Sequence, residues 1–214
     1  MSEIENVNVE AEETEEKVSR NFIEVEIDKD LAEGEIYIDG HSVKDEPMEC
    51  KKITAYIPDN PDIYENLTGM QYLYFVSDIF GLDKSERDEK IKKYCERFEI
   101  TDALNDLISS YSHGMKQKVA IISALIHDPK LFVLDEPFVG LDPKASYTLK
   151  EIMHEKCAEG SAVFFSTHVL DVAQKLCNKI GIIKHGKMVA IGSTDEIIGN
   201  QSLEEVFLEV TNNE

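Results

Sequence analysis

No glycine precedes Gly34 in this chain of 214 residues, and no Gly-Lys-Ser/Thr triplet occurs anywhere in it. The chain therefore lacks the loop G-x-x-x-x-G-K-[ST], whose amides wrap phosphates while its lysine neutralises them. Long apolar runs are also missing. The longest stretch of apolar or small residues, Val119–Ile126, is far short of the roughly 20 needed to cross a bilayer. Cys50, Cys95, Cys157 and Cys177 form no CxxC pair and no zinc spacing, which leaves them as reduced packing residues. Basic residues are scarce: 22 Lys/Arg stand against 43 Asp/Glu, for a net charge of −21. The first 50 residues alone hold 17 acidic and 4 basic side chains. A field of that sign repels phosphate backbones and argues against nucleic acid as a partner. The opening "MSEIENVNVEAEETEE" is acidic, so it reads as neither a secretory signal nor a basic transit peptide. Together these absences predict a cytosolic protein that reaches a membrane only through a partner.

What is present is patterned. Residues 3–9, 21–28 and 35–39 alternate apolar with polar side chains and end at turn residues, which predicts half-exposed antiparallel strands. "KKITAYIPDNP" predicts a short buried strand stopped by Pro58. A helix-rich stretch follows from 66 to 108, with Tyr72, Phe75, Val76 and Ile79 expected on one face and Ser85 as a cap. A third helix, after "SSYSHG", should carry Met115, Val119, Ile122, Leu125 and Ile126 inward. From there strands 131–135 and 162–166 alternate with helices 144–157 and 169–177, and "KIGIIKHGKMVAIG" reads as a hairpin turning at His185–Gly186. A short last helix holds Leu203, Val206 and Phe207. Buried strands alternating with helices imply an α/β fold with a parallel sheet, beside a small antiparallel β lobe. The expected divisions are 1–65 (β lobe and buried strand), 66–110 (helical subdomain), 111–200 (α/β core) and 201–214 (terminal helix).

"LFVLDEPFVGLDP" carries the chemistry: four apolar residues deliver Asp135 and Glu136 to a sheet edge, where an NTPase keeps its metal ligand and its base. Upstream, "YSHGMKQK" sets Ser112 and Gly114 at the mouth of a helix, whose bare N–H groups attract anions. Downstream, "GLDP" holds Asp142, and "STH" puts His168 after the next strand. Each alone is weak, since a lone histidine after a strand or a serine at a helix start is usually structural. In this order they resemble the nucleotide-binding domains of ABC transporters, over about residues 32–200, and most closely bacterial exporter ATPases made separately from their membrane subunit.

The resemblance implies ATP and Mg²⁺ as cofactors and assigns roles. Asp135 would bind the metal, Glu136 would activate water, and His168 would touch the γ-phosphate. Ser112 and Gly114 would reach across a dimer seam to the partner's ATP, with Asp142 at that seam. Asp59 stands where the family often has glutamine, Tyr111 where it has leucine, and His113 where it has a first glycine. The implied partners are a membrane-spanning transporter subunit, docked on the helical lobe and "AYIPDNPDIYENLTG", and a second ABC ATPase subunit in a homo- or heterodimer. The implied location is the cytoplasmic face of the membrane.

One part of the resemblance fails. The phosphate loop, its strand and most of its helix should precede "GEIYIDG", yet "FIEVEIDK" passes almost directly into "DLAEGEIYIDG". The aromatic that stacks adenine is missing as well, since none precedes Phe22. Charge-assisted hydrogen bonds contribute about 1.5–3 kcal/mol each, so losing several would erase a micromolar affinity of about −8 kcal/mol. The expectation is a degenerate ATPase subunit that neither binds nor hydrolyses ATP alone. It would act as the signature-donating half of a heterodimer or as a non-catalytic docking module.

Overall fold

Alternation and turn residues set the first strands. A computed structural model describes residues 23–28 and 33–212, so the strand expected over 3–9 lies outside the described residues. Strands β1 (Ile23–Asp28), β2 (Glu33–Ile38) and β3 (His41–Ser42) form an antiparallel sheet in that order, with Ile23 opposite Ile38 and Tyr37 opposite Ser42. Asp39 and Gly40 close the second turn with φ of 50° and 82°, the left-handed region that Asp and Gly tolerate. Helix α1 (Pro47–Lys52) follows, starting on a proline whose missing N–H costs nothing at a helix start.

Strand β4 (Thr54–Ile57) stops at Pro58, which has no N–H to donate to a ladder. Helix α2 (Gly69–Ile79) begins on a capping box, in which Gln71 N donates to Thr68 Oγ1 and Thr68 N donates to Gln71 Oε1. Helix α3 (Lys84–Arg97) is capped by Asp83, which accepts from Ser85 N and Glu86 N. Ser85 is therefore inside the first turn rather than the expected cap, because the Asp83 carboxylate two residues earlier accepts from two first-turn amides. The apolar stripe of α2 also differs from expectation. Gly69, Leu73 and Ser77 face the core, while Phe75 and Ile79 are 42% and 64% exposed. Gly69 can turn inward because it has no side chain: a Cβ there would lie 2.4 Å from the Tyr111 hydroxyl. Ser77 satisfies its own hydroxyl by donating to Leu73 O at 2.7 Å.

Helix α4 (His113–Leu125) is buried around most of its circumference from Val119 onward, as a central helix should be. Strand β5 (Leu131–Asp135) pairs in parallel with β4, placing Tyr56 opposite Val133 and Ile57 opposite Leu134. Helix α5 (Pro143–Ala158) leads to β6 (Ala162–Ser166), giving the sheet order β4-β5-β6. Ile57, Phe132, Leu134 and Val163 converge on one sheet face with Ile121 and Leu125 of α4 and Leu149, Ile152 and Met153 of α5. This is the main core.

The chain divides into two compact units, the first ending at Phe165 and the second running from Ser166. The second contains α6 (Leu170–Leu176), the hairpin β7 (Lys179–Lys184) and β8 (Lys187–Ser193), α7 (Thr194–Ile198) and α8 (Leu203–Asn212). His185 and Gly186 have φ of 50° and 75°, the two positive values that a two-residue hairpin turn requires. Ile180, Ile182, Leu203 and Val206 form this unit's own core.

Candidate functional site

The candidate site grows from two helix starts and one strand end in the first unit. Ser112 caps α4, accepting from Met115 N at 3.3 Å and so satisfying one amide of the first turn. Asp142 caps α5, accepting from Ala145 N at 2.8 Å through Oδ1, while its Oδ2 lies 2.7 Å from Lys118 Nζ on α4. The Lys118 ammonium and the Ala145 amide hold the Asp142 carboxyl below the ordinary carboxylate range. This pair is half open to water, so its contribution is positional more than energetic.

Backbone contact fixes the same junction more tightly. A Cβ on Gly114 would sit 2.5 Å from Gly140 O, and one on Gly140 would sit 2.3 Å from His113 Cδ2. Gly140 also has φ of 77°. The turn after β5 and the start of α4 thus meet at a distance only glycines allow, with His113 as the wedge.

Asp135 ends β5 and Glu136 begins that turn, both half-buried. Glu136 has φ of 44°, a left-handed conformation that a non-glycine residue adopts at a cost of about 1–2 kcal/mol. Val139 N closes the turn by donating to Glu136 O at 3.0 Å. Phe138 stands edge-on to Phe165 with centroids 6.0 Å apart, tying the turn to β6. Such strain is held where surrounding structure over-determines the backbone, a common feature of functional turns.

The structure therefore brings Ser112, Gly114 and Asp142 to one junction, on which the turn from Asp135 and Glu136 arrives. Asp59 is exposed in the turn beyond β4. His168 is exposed in the second unit, in the loop before α6. Sequence reasoning did not assign roles to Lys118, Gly140 or Tyr64. A pairing between residues 118 and 142 leaves no local signal, whereas the glycine in "FVGLDP" did mark a tight turn. Tyr111, in the leucine position, donates its hydroxyl to Ala103 O at 2.6 Å and fills the niche over Gly69.

A second surface lies on the helical segment. Tyr64, 57% exposed, stands edge-on to Phe75 at 5.5 Å and to Tyr72 at 6.3 Å. Lys116 of α4 reaches Glu65 beside it. Ile79, one turn after Phe75 on α2, adds a further exposed apolar side chain. Among the described residues no helix is long and apolar enough to cross a membrane.

Comparison with known proteins places this geometry in context. The ABC transporter family profile matches residues 21–139. The ABC-type transporter ATP-binding protein EcsA of Bacillus subtilis is 33% identical over 187 residues, covering 85% of this chain and 76% of EcsA. An ABC transporter ATP-binding protein of Nostoc sp. is 36% identical over 154 residues, but the match spans only 46% of that relative. Among solved structures, an ATP-binding subunit of an ABC transporter superposes with a TM-score of 0.79 at 34% identity, covering 83% of this chain and 76% of that one.

Proposed function

Because this chain belongs to the ABC transporter ATP-binding proteins, we propose that it is a transporter ATPase subunit that presents its signature helix to a partner's nucleotide and holds none of its own. The observation that carries this reading is the junction of Ser112, Gly114, Gly140 and Asp142, where two capped helix starts meet at a glycine-sealed corner. Its partners are a second ABC ATPase subunit with an intact phosphate loop and a membrane-spanning subunit, which holds the assembly at the cytoplasmic face.

The residues present do not fit a nucleotide in this chain's own core. Asp135 and Glu136 are the metal-side chemistry, but the 214 residues offer no phosphate-loop lysine, no loop amides and no loop Ser/Thr. Two carboxylates facing a triphosphate with no phosphate-loop lysine in the sequence add repulsion rather than attraction. Binding in trans through Ser112 needs none of the missing parts.

The test is a mixed complex with a loop-intact ABC subunit. Ser112→Arg should abolish the partner's ATPase activity, since a guanidinium fills the space in front of the helix amides. Glu136→Gln should leave most of it. The reverse ranking, with Glu136 essential and Ser112 dispensable, would show that a nucleotide occupies this chain.

A further inference from the structure

A cleft between α3, the loop from α4 to β5, and α5 takes no part in the junction around Ser112. It is a cavity of about 390 Å³ whose lining residues all lie in the first unit. In a chain poor in basic residues it gathers four lysines: Lys90 and Lys93 from α3, Lys130 from the loop, and Lys156 from α5. Asp128 stands between the two helices with φ of 48°, a left-handed conformation that Asp tolerates. Its two oxygens meet Lys156 Nζ at 2.8 Å and Lys90 Nζ at 2.6 Å. Glu159 and Glu86 add a second contact to each, at 2.7 Å and 2.5 Å. Lys156 is only 7% exposed, and a buried ammonium needs such partners. The bridge therefore explains Lys90 and Lys156. It explains neither of the other two lysines.

No ion pair reaches Lys93 or Lys130 among the described residues, yet both are held in place. Lys93 Nζ lies 5.2 Å from the centroid of the Tyr94 ring, which is itself 2% exposed. Lys130 projects from a backbone pinned on both sides, its N–H donating to Ile53 O and its carbonyl accepting from Ala162 N, each at 2.8 Å. Glu89 is the remaining carboxylate of the lining. Two uncommitted ammoniums thus face one uncommitted carboxylate, a local excess of positive charge in a chain of −21. We infer that this cleft binds a small organic anion bearing two or more carboxylate or phosphate groups. Lys93 and Lys130, on separate elements, each take one oxyanion group. Lys90 and Lys156 add a donor apiece, since an ammonium has three and each directs two at carboxylates. The volume falls in the range of small-molecule sites, about 300–1,000 Å³, and exceeds what a lone inorganic ion fills. The site shares no residue with the junction of Ser112, Gly114 and Asp142, so it stands apart from the nucleotide reading.

The test is isothermal titration of citrate and of fructose 1,6-bisphosphate into the full chain at low salt, without nucleotide, with acetate as the singly charged control. At least one of the two should bind saturably at one site. Citrate alone would assign carboxylate groups to the ligand, and the bisphosphate alone would assign phosphates. Lys93→Gln and Lys130→Gln should each weaken binding by about fivefold or more, and Glu89→Gln should strengthen it. Lys51→Gln, on an exposed lysine of α1, should leave it unchanged. All four positions are exposed, so circular dichroism should not change. Absence of saturable binding by both anions overturns the proposal, as does acetate binding equally well. So does binding indifferent to Lys93 and Lys130, or binding that Ser112→Arg abolishes, which would put the anion at the start of α4.

Discussion

His127 lies flat on Phe80, with ring centroids 3.7 Å apart and planes 5° apart, and its buried Nδ1 has no hydrogen-bond partner among the described residues. Burial pushes its pKa down to about 4, with the Asp128 carboxylate opposing and Lys90 assisting. Between that value and an unfolded value near 6.5, the unfolded chain takes up a proton that the folded chain refuses. The contribution is thus complete above about pH 6.5 and is lost as pH falls toward 4. Allowing for partial exposure, the loss is roughly 2–3 kcal/mol. Urea unfolding at pH 7 and pH 4.5 should show His127→Phe, which keeps the stack and removes the titration, losing less stability than the wild type across that interval. Gly114 sets another residue-scale limit. Gly114→Ala would put a methyl 2.5 Å from Gly140 O, and should lower stability by about 1–3 kcal/mol in the same assay. A circular-dichroism melt unchanged from wild type would mean the corner yields easily. Neither contact was legible in sequence, since stacking of residues 80 and 127, or back-to-back approach of 114 and 140, is set by tertiary packing.

At the scale of elements, caps and breakers were the most readable features. Ser112 is the expected cap because a short polar side chain precedes a helix start, Pro58 ends β4 for lack of a donor, and Asp142 and Asp83 are caps that were not read. Helices α1 and α7 were not read, since six and five residues give too little periodicity. The face of α2 was half right: Tyr72 and Val76 pack against the core, but Gly69, Leu73 and Ser77 take the buried positions and leave Phe75 and Ile79 outside. That exposure sharpens the docking prediction. Thr68 caps α2, so Thr68→Lys would disturb the helix itself by about 0.5–2 kcal/mol. Phe75→Lys and Ile79→Lys change exposed side chains only. Both should weaken capture of a transporter membrane subunit with circular dichroism unchanged. Undiminished capture by both variants would remove this patch from the interface.

For the molecule as a whole, the parallel sheet was legible because "LFVLD" is an apolar run delivered to a carboxylate, and the hairpin because His185–Gly186 supplies a turn. The exposure of Tyr56 and Phe164 was not, for both read as ordinary strand residues until the strands are laid side by side. The net charge of −21 and the phosphate loop missing from the sequence are the whole-molecule grounds for the proposal that this chain holds no nucleotide of its own. The most direct measurement is isothermal titration of Mg-ATP into the purified chain, alone and then mixed with a loop-intact ABC subunit. The account predicts no binding heat for the chain alone, and in the mixture a nucleotide affinity that Ser112→Arg lowers. A magnesium-dependent dissociation constant in the micromolar range for the chain alone would contradict it.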